Sequence, residues 1–136
     1  MHHRRAHLLR LRDKGEYRLE EFSRRRVASV RRHFPALAKS RIGQVSVECI
    51  NSHVPLKLLS LLEGKDVLVG VIDVATDKIE TSQQVEQVIA EVMKFVRKDK
   101  IVACTNCGMA PMRRDVAEAK LKALAQGVAL ARKKFG

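Results

Sequence analysis

Cys104 and Cys107 stand at C-x-x-C spacing at the end of an apolar run, Ile101-Val-Ala-Cys-Thr-Asn-Cys-Gly108, and are two of only three cysteines in 136 residues. Two thiols so placed can supply half of a tetrahedral zinc site, work as a redox dithiol, or simply pack as small apolar groups. All three readings are open from spacing alone. Two carboxylates share the same kind of position. Glu48 follows the apolar Val47, and Asp73 is the one charge within Val67–Val74. A carboxylate among apolar neighbours needs a hydrogen-bond partner, a cation or a metal. His53 follows the first of these stretches closely, where it would either reach the same rim or cap a loop.

Three strands must hold these groups. Val45, Val47 and Cys49 alternate with Gln44, Ser46 and Glu48, a half-buried strand pattern. Pro55 suits the first turn of a short helix over Leu56–Leu62 that Gly64 stops. Val67–Val74 is the near-continuous apolar run of a parallel strand covered on both faces. Thr81 and Gln84 have capping-box spacing, and Val85, Val88, Ile89, Val92, Phe95 and Val96 then form one helical face. Ile101–Cys104 is the third strand. Asp115 and Glu118 open a last helix with an apolar face of Leu121, Leu124, Ala125, Val128 and Ala131.

The order is βαβαβα, an α/β pattern of parallel strands joined by right-handed crossovers. In such folds chemistry gathers at the carboxyl ends of the strands, so Glu48, Asp73, Cys104 and Cys107 would converge on one rim.

Composition bounds the rest. The chain has the length of one domain, and its 46% hydrophobic content suits a globular one. Neither a membrane span nor a signal-peptide core is visible, so reduced thiols and a cytoplasmic setting are expected. The net charge of +12 is uneven: residues 1–42 carry 13 Lys/Arg against 4 Asp/Glu, and residues 43–136 carry 14 against 11. Residues 1–42 therefore read as a basic arm, helical or poorly ordered, and residues 43–136 as the βαβαβα portion. Without a groove-reading motif or stacking aromatics, nucleic acid is not the expected partner of that arm.

Four blocks now carry a resemblance: Val45-Ser-Val-Glu-Cys49, Gly70-Val-Ile-Asp-Val74, Ile79-Glu-Thr81 and Cys104-Thr-Asn-Cys-Gly-Met-Ala-Pro111. In order and spacing they resemble the C-terminal part of the cobalamin-independent methionine synthase family, from about Phe34 onward. The resemblance implies three consecutive βα units of a (β/α)8 TIM-type barrel. It also implies a zinc ion as cofactor, and methyl transfer from a methylated folate to a zinc-bound thiol such as homocysteine. By the same resemblance Glu48 and Cys107 match zinc ligands and Asp73 lies near the substrate. A zinc-binding or redox C-x-x-C module without methyl transfer is the alternative.

The sequence also departs from the family. Its other two ligands form a His-x-Cys element upstream of the glutamate, whereas here His7 precedes Leu8-Leu9 and no cysteine precedes Cys49. Ala75 stands where full-length members carry a histidine, which points to a subgroup. A complete barrel takes roughly 250 residues. Three strands alone leave two sheet edges that a homo-oligomer or a separately encoded barrel half would cover.

Overall fold

The computed structural model describes residues 24, 25 and 27–136; the start of the basic arm, with His2, His3, His7 and Arg26, lies outside the described residues. Residues 27–39 form helix α1, whose Val30, Phe34 and Leu37 turn to the core, Phe34 being buried. Strand β1 is Gln44–Glu48, and a seven-residue 3₁₀ helix, Leu56–Leu62, follows. Strand β2 is Asp66–Ile72, helix α2 Ser82–Val92, strand β3 Ile101–Thr105 and helix α3 Arg114–Phe135.

The three strands make one parallel sheet in the order β1-β2-β3. Val67, Val69 and Val71 of β2 are essentially inaccessible and point into a core shared with Val45, Val47, Ile101 and Ala103 of the flanking strands. This is the face that α2 and α3 cover. The alternation of a strand sends Ser46, Glu48, Leu68, Val102 and Cys104 to the other face. There Val102 keeps 46% of its surface exposed.

Local signals explain the elements well at their starts. Thr81 Oγ1 accepts from the Gln84 backbone N–H at 3.1 Å and the Gln84 side chain accepts from Thr81 N–H at 2.9 Å, a complete capping box. Gly64 has φ +83°, a left-handed turn that glycine adopts without a Cβ clash. Pro55 caps the 3₁₀ segment from outside rather than sitting in its first turn.

Two further expectations are corrected. Helix α2 ends at Val92, and a turn carries Val96 back to the core while Phe95 stays 37% exposed. The buried stripe of α3 is also rotated from the expected one. Leu124, Val128 and Ala131 do meet the core, but Leu121 and Ala125 are exposed, and Lys120, Ala123 and Gly127 take their place. The reason is helix approach. A Cβ on Gly127 would collide with the side chain of Val85 and come within 3.0 Å of the Ser82 carbonyl, so small residues set the α2–α3 spacing.

Candidate functional site

The carboxyl ends of the strands are where the chemically able residues meet. Glu48, Gly70 and Cys104 lie level across β1, β2 and β3. With neighbouring strands about 4.8 Å apart, Glu48 and Cys104 start from backbone positions roughly 10 Å from each other on one face. Glu48 is exposed, Cys104 half-buried and Cys107 exposed in the loop just beyond β3.

Asn106, between the two cysteines, fastens this rim. Its backbone N–H donates to Ile72 O at 2.9 Å, and its Nδ2 donates to Ile50 O at 2.9 Å, so one residue ties β3 to the ends of both other strands. Its Oδ1 is buried with no hydrogen-bond partner among the described residues. The side chain fits because position 70 is glycine: a Cβ there would lie against Oδ1 and within 2.9 Å of the Asn106 Cα. Thr105 Oγ1 donates to Cys107 O at 2.8 Å and fixes the loop further.

The thiols are unequal. Burial pushes Cys49 up to about 11, opposed by a hydrogen bond from the backbone at Gly70 and aided by the nearby Cys104. Burial also raises Cys104, partly offset by a hydrogen bond with the Ser46 side chain. Desolvation disfavours the thiolate in both.

Asp73 is held in a separate, buried network. Its Oδ1 accepts from Ala75 N–H at 2.9 Å and its Oδ2 from Asn51 Nδ2 at 2.7 Å. The Ala75 bond foremost, then Asn51 and the charge of Lys120, hold its carboxyl below the usual range against the opposing cost of burial. Asp73 N–H donates to Glu80 Oε1 at 2.9 Å, and Lys120 Nζ donates to both Glu80 oxygens at 3.2 and 3.0 Å and also to Lys78 O. Lys120 has no exposed surface at all. The chain of bonds runs from α3 through the end of β2 to Asn51, which sits in a left-handed turn at φ 55°. His53 shares that turn geometry at φ 57° and is exposed. An open cavity of about 420 Å³ borders the network, lined by Cys49, Asn51, Leu56, Asp73, Gln84 and Val88 among others, and does not include Glu48, Cys104 or Cys107.

Glu80 and Lys120 had no assigned role in the sequence. Lys120 leads a stripe with Ala123, Gly127 and Ala131 at helical spacing, which is the signal that marks it as inward-facing. Among the described residues, no three His, Cys, Asp or Glu side chains form a group that could hold a metal ion. Glu48 and the cysteines have donor types that zinc accepts, but alone they do not fit a complete zinc site. No helix among the described residues is long and apolar enough to cross a membrane.

Comparison with known proteins follows the same lines. The family model "Cobalamin-independent synthase, Catalytic domain" matches residues 31–132. A methionine synthase of Saccharolobus islandicus is 28% identical over 103 residues, covering 74% of this chain and 31% of the relative. One from Thermococcus kodakarensis is 25% identical over 96 residues, covering 70% and 29%. A solved structure, a B12-independent methionine synthase from Shewanella sp. W3-18-1 in complex with selenomethionine, is similar with a TM-score of 0.73 and 51% identity. That likeness covers 74% of this chain and 30% of the Shewanella chain. The chain thus spans under a third of the length of these relatives.

Proposed function

Since this chain belongs to the cobalamin-independent synthase catalytic-domain family, we propose that it carries part of the active rim of a methyltransferase of methionine biosynthesis, acting on small molecules. The substrates in this reading are a methylated folate as donor and a thiol such as homocysteine as acceptor. The observation that carries it is the level placement of Glu48, Gly70 and Cys104 at the strand ends, with Cys107 presented just beyond.

In this reading Glu48 and Cys107 would lend two of the donors that hold a zinc ion, and zinc held there would supply activation of a thiol. Further donors would come from outside the described residues. Asp73, its oxygens filled by Asn51 and Ala75, holds the loop beside the acceptor rather than meeting a metal.

Zinc titration of purified variants tests the assignment. Cys107→Ser and Glu48→Gln should each weaken zinc binding by roughly tenfold or more, with Cys104→Ser close to wild type. Equal loss with either cysteine, and none with Glu48→Gln, makes the site a C-x-x-C clip. Binding indifferent to all three substitutions sinks the zinc assignment.

A further inference from the structure

Between the two thiols of the β3 loop stands Asn106, an amide that neither ionises nor attacks. Its place over Gly70 says which side of the sheet it occupies. Gly70 is level with Glu48 on β1 and Cys104 on β3, and level residues of parallel strands share a face. A Cβ at position 70 would point from that face, and the groups it would meet are Oδ1, Cγ and Cα of Asn106. The carboxamide therefore fills the place of a β2 side chain, midway between Glu48 and Cys104. Its far end reaches β1, where Nδ2 donates at 2.9 Å to the carbonyl of Ile50, two residues past Glu48. That bond fixes how the amide is turned, because an oxygen placed there would face a carbonyl oxygen.

We propose that Asn106 is a positioning residue that decides which of the two thiols the rim presents beside Glu48. Lying across Gly70, it is a wedge that keeps Cys104 apart from Glu48. Tied to Ile50 O and Ile72 O, it also carries the next residue, Cys107, out over the rim. The exposures agree: Glu48 and Cys107 are exposed and Cys104 is half-buried. The arrangement is also costly. It needs a glycine inside a strand and leaves the buried Oδ1 without a hydrogen-bond partner among the described residues. A loop that only had to turn has no use for either. The inference deepens the methyltransferase reading, on which it rests only for the use to which Cys107 is put.

Alkylation by iodoacetamide, followed cysteine by cysteine with mass spectrometry, reads this selection in the metal-free 136-residue chain. Asn106→Ala should speed Cys104 by about tenfold. Cys49 should keep its wild-type rate, because it packs against the core on the helix-covered face and reports the stability of the whole fold. Asn106→Ser, equally too short to reach Ile50, should behave alike. Cys104 unchanged in a folded variant overturns the inference. So does equal acceleration of Cys104 and Cys49, since Asn106 then contributes stability alone. If neither variant folds, the wild type decides. In urea below the unfolding transition, Cys104 should speed up with a shallower slope than Cys49, because opening of the loop suffices to free it. Parallel slopes, or no slope for Cys104, overturn the inference.

Zinc titration of the same variants separates this role from the function it rests on. A chain that takes up no zinc, yet shows the expected change in labelling, keeps the selection by Asn106 and removes the zinc reading. Zinc that depends on Glu48 and Cys107, with labelling indifferent to residue 106, does the reverse.

Discussion

At the scale of single residues, burial and partnering decide what each group does. Lys120 and Glu80 are a buried ion pair with every Lys120 donor used. Lys120→Met strands a buried carboxylate and should cost about 3–5 kcal/mol in urea unfolding, while Lys120→Met with Glu80→Leu costs less than that single change. Asp73, lowered in the folded state, adds stability that is present above its unfolded pKa and disappears as pH falls through the folded value. Asp73→Asn should therefore be less stable than wild type at neutral pH, with the gap closing below about pH 4. A gap that stays constant to low pH counts against this account. The thiols give a third check. At pH 8, exposed Cys107 should label first, and Cys49, raised to about 11, about a hundredfold more slowly than an unshifted thiol. Glu48, Asp73 and the cysteine pair were legible as chemistry because each interrupts or ends an apolar run. Lys120 was not. A single lysine in an Ala- and Leu-rich helix reads as solvated, because the stripe of small residues marks a face without saying that a carboxylate 40 residues away waits there.

Helix and strand boundaries follow from local rules, and faces from tertiary contact. The α2 start was readable because the capping box is a side-chain device within four residues. Thr81→Ala should lower stability by about 1 kcal/mol, read as a shift in the urea midpoint with unchanged slope. The face of α3 was misread because hydropathy favours leucine, while the packing favours whatever lets α3 approach α2. Leu121 lost its place to Ala123 and Gly127. Gly127→Val should push the helices apart and cost about 1–3 kcal/mol, whereas Leu121→Ala should change stability by less than about 0.5 kcal/mol. A larger effect at Leu121 than at Gly127 would mean the stripe is assigned to the wrong side.

Across the whole molecule, the parallel order β1-β2-β3 was legible because each apolar run is separated by helical periodicity. What meets the outer edges of β1 and β3, unpaired among the described residues, was not, since an edge leaves no mark in a strand's own residues. Charge acts at this scale too. With +12 overall, the chain should be retained on an anionic polymer at low salt and released by moderate salt without regard to nucleotide sequence. Retention that survives high salt would demand a specific nucleic-acid site. The knot of Asn106 over Gly70 reaches furthest. The two positions are not equivalent: a Cβ at 70 meets the Cα of residue 106 whatever side chain 106 carries, whereas 106 can shrink while 70 stays glycine. In a library randomised at both sites, surviving clones should therefore fall along a line, with glycine kept at 70 and only 106 varied. The backbone of one loop thus dictates a residue on a neighbouring strand, and any lineage that keeps this rim would carry that glycine unchanged.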